Sequence, residues 1–350
     1  MIFTSDNACG AAPEILQAVA RVNGGYTRGY GADETSERVE AQVRELFEAP
    51  SARAFTVATG TAANALALAC LCPPWGAVYC HDVSHVEVDE CGAPEFYTGG
   101  AKLTLLDGEN AKLRPEAVAH AAEVAAPVGV HNVQNGAISV TQVTELGAAY
   151  SVDEIAAMGA IARRHGMGLH MDGTRFANAI TRMNVSPAEM SWKSGVDILC
   201  LGATKNGAMA AETVIIFDEA KAWEFELRRK RGGHLFSKMR FVSAQVEAYL
   251  SDGLWLRLAG HANRMADRLA EGIRAIEGAE VTNQVDANML FVTMRLDQHR
   301  KLQAAGAQYY PWGAPMDENG PDDGPWSVRL VTSFATTEAE VDQFLEVMAG

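Results

Sequence analysis

Apolar positions recur along this chain at two spacings. At three to four residues they run through "PEILQAVARVNGG" (13–25) and "ETSERVEAQVRELFEA" (34–49), which predicts two amphipathic helices. Short apolar runs and helical stretches then alternate. "ARAFTVATG" (52–60) predicts a strand feeding the helix "TAANALALACL" (61–71), and "GAVYC" (76–80) a second strand. A helix over "RPEAVAHAAEVAA" (114–126) and a strand over "GAISVTQ" (136–142) follow. "SVDEIAAMGAIARRHG" (151–166) opens on Ser151 with Glu154 three residues later, the spacing of a capping box, so this helix has a defined start. "MGLHMD" (167–172), "VDILCLG" (196–202) and "ETVIIF" (212–217) are three further strands.

This alternation predicts an α/β fold whose parallel or mixed sheet is covered by helices on both faces. Beyond a long helix at "GLWLRLAGHANRMADRLAEGIRAIEG" (253–278), only "NMLFVTM" and "WSVRLVTS" read as strands, before a closing helix at "TTEAEVDQFLEVMAG". A large domain over 1–250, including the N-terminal segment, and a small α/β domain over 251–350 are expected. The chain has no internal repeat and no low-complexity tract.

Composition narrows the partners. With 29 Lys+Arg against 44 Asp+Glu, the net charge of -15 lacks the basic field that nucleic acid or an anionic membrane surface requires. The apolar run "AANALALACLC" (62–72) is too short to span a bilayer, and "MIFTSDNACG" has neither the basic region nor the apolar core of a signal peptide. A soluble cytoplasmic protein is expected. The six cysteines form no CxxC pair, which suits reduced, mostly buried thiols acting as small hydrophobes.

In open α/β sheets ligands bind beyond the carboxyl ends of the strands, so the residues just past each strand carry the candidate chemistry. "DILCLGATKNGAM" (197–209) ends a strand at Gly202 and places Lys205 among small residues. Such a lysine is either a snorkelling surface residue or an amine kept desolvated for covalent chemistry. "ATGTAANALAL" sets Gly60 and Thr61 at a helix start, either a plain cap or a cradle for phosphate. In "LHMDGTRF", Asp172 ends a strand and Arg175 follows three residues on, so Asp172 either pairs with Arg175 or holds a proton on a heterocyclic nitrogen. An amine, a carboxylate and a phosphate cradle together form the set that pyridoxal phosphate requires.

With that set in view, the sequence resembles the L-threonine aldolases of the β-eliminating lyase group, within the aspartate-aminotransferase-like pyridoxal phosphate fold. The resemblance runs over nearly the whole chain, through "SDN" (5–7), "YGADETSERVE", "GTAANALAL", "SHVEVDECGAP", "LHMDGTRFANA", "LGATKNG", "GGHLFSKMRF" and "VRLVTSFATTEAEVD". The variants "FTSDNACG", "DECGAPEF" and "TKNGAM" look closest to the low-specificity or phenylserine-cleaving bacterial branch.

The resemblance implies a mostly parallel seven-stranded sheet in the large domain, pyridoxal 5'-phosphate as cofactor, and retro-aldol cleavage of L-β-hydroxy-α-amino acids to glycine and an aldehyde. It implies that Lys205 binds the cofactor covalently, Asp172 pairs with its ring nitrogen, Gly60 and Thr61 hold its phosphate, and His85 stacks on its ring. Arg175 would lie near the ring hydroxyl or the substrate carboxylate, and Ser5 and Arg329 would hold that carboxylate. Inside the apolar strand "SVRLVTS" a guanidinium without a partner is costly, so a carboxylate is expected against Arg329. Glu90 would orient the substrate or carry a proton. A homo-oligomer, dimer or tetramer, with active sites at the dimer interface is also implied. The cations Lys238 and Arg240 would lie near the cofactor phosphate and a subunit boundary, or form a solvated charge run.

The sequence departs from the family in one respect. Many members carry a histidine near the substrate hydroxyl where "VTQVTELGAAY" aligns Thr144, so the base could be His85, Glu90 or a held water. Rival readings are β-elimination or transamination on the same fold, and a nucleotide-binding regulatory protein. A metal site at His81 and His85 with Asp82, Glu87 and Asp89 is a third rival. The lack of helical periodicity in "CHDVSHVEVDE" argues against it, and no metal is expected.

Overall fold

The computed structural model describes Met1 to Gly350, leaving aside the side chains of Ala126 and Pro127. Seven strands form the main sheet: β1 (Arg53–Val57), β2 (Gly76–His81), β3 (Lys102–Leu106), β4 (Gln134–Thr141), β5 (Gly168–Gly173), β6 (Ile198–Gly202) and β7 (Glu212–Ile216). Their order is β1-β7-β6-β5-β4-β2-β3. β3, β2, β4, β5 and β6 run parallel, whereas β7 is antiparallel to both β6 and β1. A parallel return needs a crossover of a dozen or more residues. Only residues 203–211 separate β6 from β7, so β7 must come back antiparallel and the chain turns sharply at the carboxyl end of β6.

β2, β6 and β7 are buried along their whole length, as expected for strands covered on both faces. The helix Gly60–Leu71 is buried from Ala62 onward. Its run of alanine and leucine has no polar face because no face meets water. The helix Val152–Arg164 begins with the expected capping box: Ser151 Oγ accepts from the Glu154 N–H, and Glu154 accepts from the Ser151 N–H. Strand β3 and the helices Phe176–Met183, Ala222–Arg231, Arg240–Leu250 and Leu296–Ala304 are additions to the elements read from the sequence.

The helix Leu254–Arg274 leads to a second, antiparallel sheet of β8 (Glu280–Val281), β9 (Met289–Arg295), β10 (Tyr310–Pro311) and β11 (Pro325–Val331), ordered β10-β11-β9-β8. Its core gathers Leu290, Val292, Trp326, Val328, Leu330 and Phe344. The first residues of the chain join it. Phe3 packs edge-on against Phe344 at 5.2 Å, donates its N–H to Gln308 O at 2.8 Å and accepts from the Val331 N–H at 2.9 Å. This docking brings the next residues, Ser5 to Asn7, to the carboxyl ends of the main-sheet strands. Among the described residues no helix is long and apolar enough to cross a membrane.

Candidate active site

Register aligns the chemistry. Thr141 on β4 stands opposite Asp172 on β5, and Asp172 opposite Cys200 on β6. One residue beyond the paired ends, β5 and β6 approach closely. A Cβ on Gly202 would lie 2.5 Å from Thr174 O and 2.7 Å from Thr174 Cα, so only glycine fits there. The chain then makes a single turn, Thr204–Asn206, and leaves through Gly207 at φ 111°. Buried Asn206 anchors this turn, donating to Tyr249 Oη and Trp255 O at 2.9 Å each, and Ala203 N–H donates to Glu212 Oε2 at 2.8 Å.

Lys205 is left to line a cleft of about 360 Å³ with Gly60, Thr61, Asn64, His85 and Thr174. Among the described residues its amine has no hydrogen-bond or ion-pair partner. Burial, reinforced by the charge of Arg175, holds its pKa below the ordinary lysine value, against opposing attraction from Asp6, Asp172 and Glu212. Of the two readings of this lysine, the geometry is that of the desolvated amine. At the cleft's edge the helix starts at Gly60, with Thr59 as cap: Thr59 Oγ1 accepts from the Ala62 N–H at 3.2 Å and Thr59 O from the Ala63 N–H. The N–H groups of Gly60 and Thr61 have no partner among the described residues, which is the arrangement that binds anions.

Asp172 is buried and accepts three hydrogen bonds, which leaves one acceptor position. Its Oδ1 accepts from Thr174 N–H at 3.0 Å and Thr174 Oγ1–H at 2.7 Å, and its Oδ2 accepts from Asn64 Nδ2 at 2.9 Å. Burial pushes its pKa up, but His85, Thr174 and His170 outweigh this and keep it below the usual carboxylate value. Asn64, which the sequence reading did not single out, donates its second hydrogen to Glu90 Oε1 at 2.9 Å. Glu90 Oε1 also lies 2.8 Å from His85 Nδ1, and that bond raises the His85 pKa despite burial. A continuous chain His85–Glu90–Asn64–Asp172 therefore crosses the site.

Arg175 does not pair with Asp172. It forks onto Asp6, Nε to Oδ2 at 2.8 Å and an Nη2–H to Oδ1 at 2.9 Å, while Asn288 donates to the same Oδ2 at 3.1 Å. Asp6 offers Arg175 a two-point fork, whereas Asp172, with three donors already bound, has a single acceptor position left. Asp6, the middle residue of "SDN", and Asn288 meet Arg175 only through the docking of the N-terminus on the second sheet, a relation that no local pattern carries. Ser5 adjoins Asp6 and accepts the Asn7 N–H at 3.1 Å. Arg329 on β11 is partly buried with its Nε unpaired, and it has no carboxylate partner among the described residues.

Thr144 faces away from the chemistry expected of it. It is buried, its hydroxyl donating to Asn110 O at 2.8 Å and accepting from the Ala148 N–H at 3.1 Å. The adjacent Glu145 reaches the site instead, accepting the His85 backbone N–H at 2.7 Å. His81 and His85 do not form a metal set: His81 Nε2 meets Gly108 O at 3.0 Å, and His85 opens a one-turn helix, His85–Val88, too short for the sequence to show a period. The grouping of metal-ligating type among the described residues is His85, Glu90 and Asp172, whose carboxylates already accept the two hydrogens of Asn64. Lys238 is exposed, and Arg240 donates to Gly24 O at 3.3 Å.

The sequence profile of the beta-eliminating lyase family matches residues 3–296. The chain belongs to the beta-eliminating lyase family. A "Low specificity L-threonine aldolase" of Pseudomonas aeruginosa is 42% identical over 308 residues, covering 88% of each chain. A protein of the same name from Pseudomonas sp. is 39% identical over 340 residues, 97% of this chain and 94% of its own. Among solved structures, the Leishmania major threonine aldolase superposes with a TM-score of 0.91 at 29% identity, covering 99% of this chain and 98% of its own. A Sphingomonas wittichii serine palmitoyltransferase shares the fold, with a TM-score of 0.73 at 14% identity. In this beta-eliminating lyase, the conjunction of Lys205, Gly60, Thr61 and His85 in one cleft spans segments from residue 60 to residue 205.

Proposed function

We propose that the protein is a pyridoxal 5'-phosphate-dependent aldolase that cleaves L-threonine, L-allo-threonine and related L-β-hydroxy-α-amino acids, phenylserine among them, to glycine and an aldehyde. One observation carries this reading: a lysine amine without a partner shares its cleft with a helix start bearing free N–H groups, while a buried carboxylate kept ionised stands behind them. The names of the relatives at 42% and 39% identity support it.

The donor set fits the cofactor. Lys205 would bind its aldehyde carbon, Gly60 and Thr61 N–H its phosphate, Asp172 its ring nitrogen, and His85 would stack on the ring. Buried Asn64 Oδ1 and Glu90 Oε2 have no partner among the described residues and remain free for a bound group. When bound, pyridoxal phosphate supplies an electron sink for bonds to the substrate Cα.

The chain's residues do the rest. Lys205 is poised to be a neutral nucleophile because burial disfavours its ammonium form. Asp172, ionised, would stabilise a proton on the ring nitrogen. Arg329 and Ser5 hold the substrate carboxylate, and Arg175, fixed by Asp6, completes the positive side of the site. His85 has its Nδ1 on Glu90, which leaves Nε2 to accept the β-hydroxyl proton as the Cα–Cβ bond breaks. Glu90 then stabilises the imidazolium. A two-domain division at residue 250, a cytoplasmic location, and a dimer or tetramer with active sites at the subunit interface belong to the same proposal.

Borohydride reduction of the holoenzyme followed by peptide mapping tests this assignment. The cofactor mass should appear on the peptide bearing Lys205 and vanish in Lys205→Ala. Its appearance on another lysine would overturn the assignment.

A further inference from the structure

Arg329 stands cross-strand from Phe291 on β9 and from Tyr310 on β10. Cross-strand partners share a face, and Trp312, two residues past Tyr310, returns to that face. There Trp312 packs on Phe291 with ring centroids 4.9 Å apart, and its N–H bonds Ser327 O at 2.9 Å, which fixes the segment against β11. The Arg329 guanidinium carbon lies 5.8 Å from the Tyr310 ring centroid and 5.5 Å from that of Trp312. Both distances are within cation–π range.

Two arginines are thus held near the site by different means. Arg175 is saturated by a forked bond to Asp6, and no new carboxylate can bind it there without displacing Asp6. Arg329 has aromatic faces in place of a carboxylate. Burial and the nearby charge of Arg175 both oppose its charge, so some compensation is required. Ring faces attract a guanidinium while leaving its in-plane N–H fork free.

We infer that Tyr310 and Trp312 are positioning residues that hold Arg329 charged and aimed with its fork open for the carboxylate of an incoming amino acid. This rests on the reading of Arg329 as the carboxylate holder. It also explains why a cation inside an apolar strand persists with no carboxylate in direct contact, Asp6 and Asp89 acting on it only at longer range. A side chain already held against two rings has less conformational freedom to lose when substrate binds.

The test is calorimetric binding of glycine and of glycinamide to the holoenzyme, two ligands that differ only at the carboxylate. In Trp312→Leu and Tyr310→Leu, glycine should bind about fivefold more weakly while glycinamide is unchanged. KM for L-threonine should rise with kcat near native, and Trp312→Phe, which keeps a ring face, should recover most of the loss. If Trp312→Leu does not fold, Tyr310→Leu carries the test, because Tyr310 is half exposed. Equal weakening of both ligands, or of neither, overturns the inference. Arg329→Gln separates the premise: loss of the preference for glycine over glycinamide supports it, and a retained preference means that the carboxylate lies elsewhere.

Discussion

The side-chain amide of Asn64 donates a hydrogen bond to Asp172 Oδ2 at 2.9 Å. Its other hydrogen goes to Glu90, so one amide satisfies two carboxylates that are each 3% exposed. Without it, both would be short of a donor in a low-dielectric site. Asn64→Leu, similar in size but without hydrogens, should destabilise the cofactor-free protein by about 3 kcal/mol, since bonds to charged groups contribute roughly 1.5–3 kcal/mol each. Asn64→Ser, which can donate once, should lose about half as much. Denaturant unfolding measures both, and a loss below about 0.5 kcal/mol for Asn64→Leu would mean that the carboxylates are protonated or otherwise satisfied.

Asp172→Asn should lower turnover by orders of magnitude while preserving the fold. A neutral amide can still accept from Thr174, but it cannot stabilise a cationic ring nitrogen. Steady-state rates on L-threonine check this, and near-native turnover would place the acid partner elsewhere.

His85 acts as a base only when neutral. Its bond to Glu90 raises its pKa, so kcat/KM should fall as pH drops through a value above the ordinary 6.5. Glu90→Gln removes the anion and should move this acid limb to lower pH. His85→Asn should cost about 10²-fold or more in kcat/KM while cofactor absorbance persists. If instead His85→Asn keeps its rate and Glu90→Gln loses it, Glu90 is the base.

Glu212, at the start of β7, is buried against the Lys205 turn, and burial raises its pKa to about 7 from an ordinary 4.5. The folded state therefore holds this proton through a range in which the unfolded chain has released it. Stability should fall between about pH 4.5 and pH 7, by about 3 kcal/mol in total from this group. Glu212→Gln can still accept from the Ala203 N–H. In the cofactor-free state it should match the parent near pH 4 and exceed it above pH 7. A parent–variant difference that does not change with pH would contradict this.

Much of this was legible in the sequence, for identifiable reasons. The central strands are buried on both faces, so they read as uninterrupted apolar runs, and Lys205, Asp172 and Gly60 stand at their ends where ligands collect. β3, "KLTLL", escaped because an edge strand with only partial burial carries little pattern. The helix Ala222–Arg231 escaped because most of its residues are charged. Asp6 and Asn288 lie far apart in the chain and meet Arg175 only in space, which no local pattern encodes. Asn64 was hidden inside an alanine-rich helix that needs no polar residue for its own sake. Thr144 stands where the resembled family carries a histidine, while the side chain that touches the His85 turn belongs to its neighbour, Glu145.

The central claim is bond cleavage between Cα and Cβ, and product stoichiometry from L-threonine tests it most directly. Glycine and acetaldehyde should appear in equal amounts as substrate disappears, in wild type but not in Lys205→Ala. Ammonia with 2-oxobutanoate in place of glycine would show β-elimination and contradict the account.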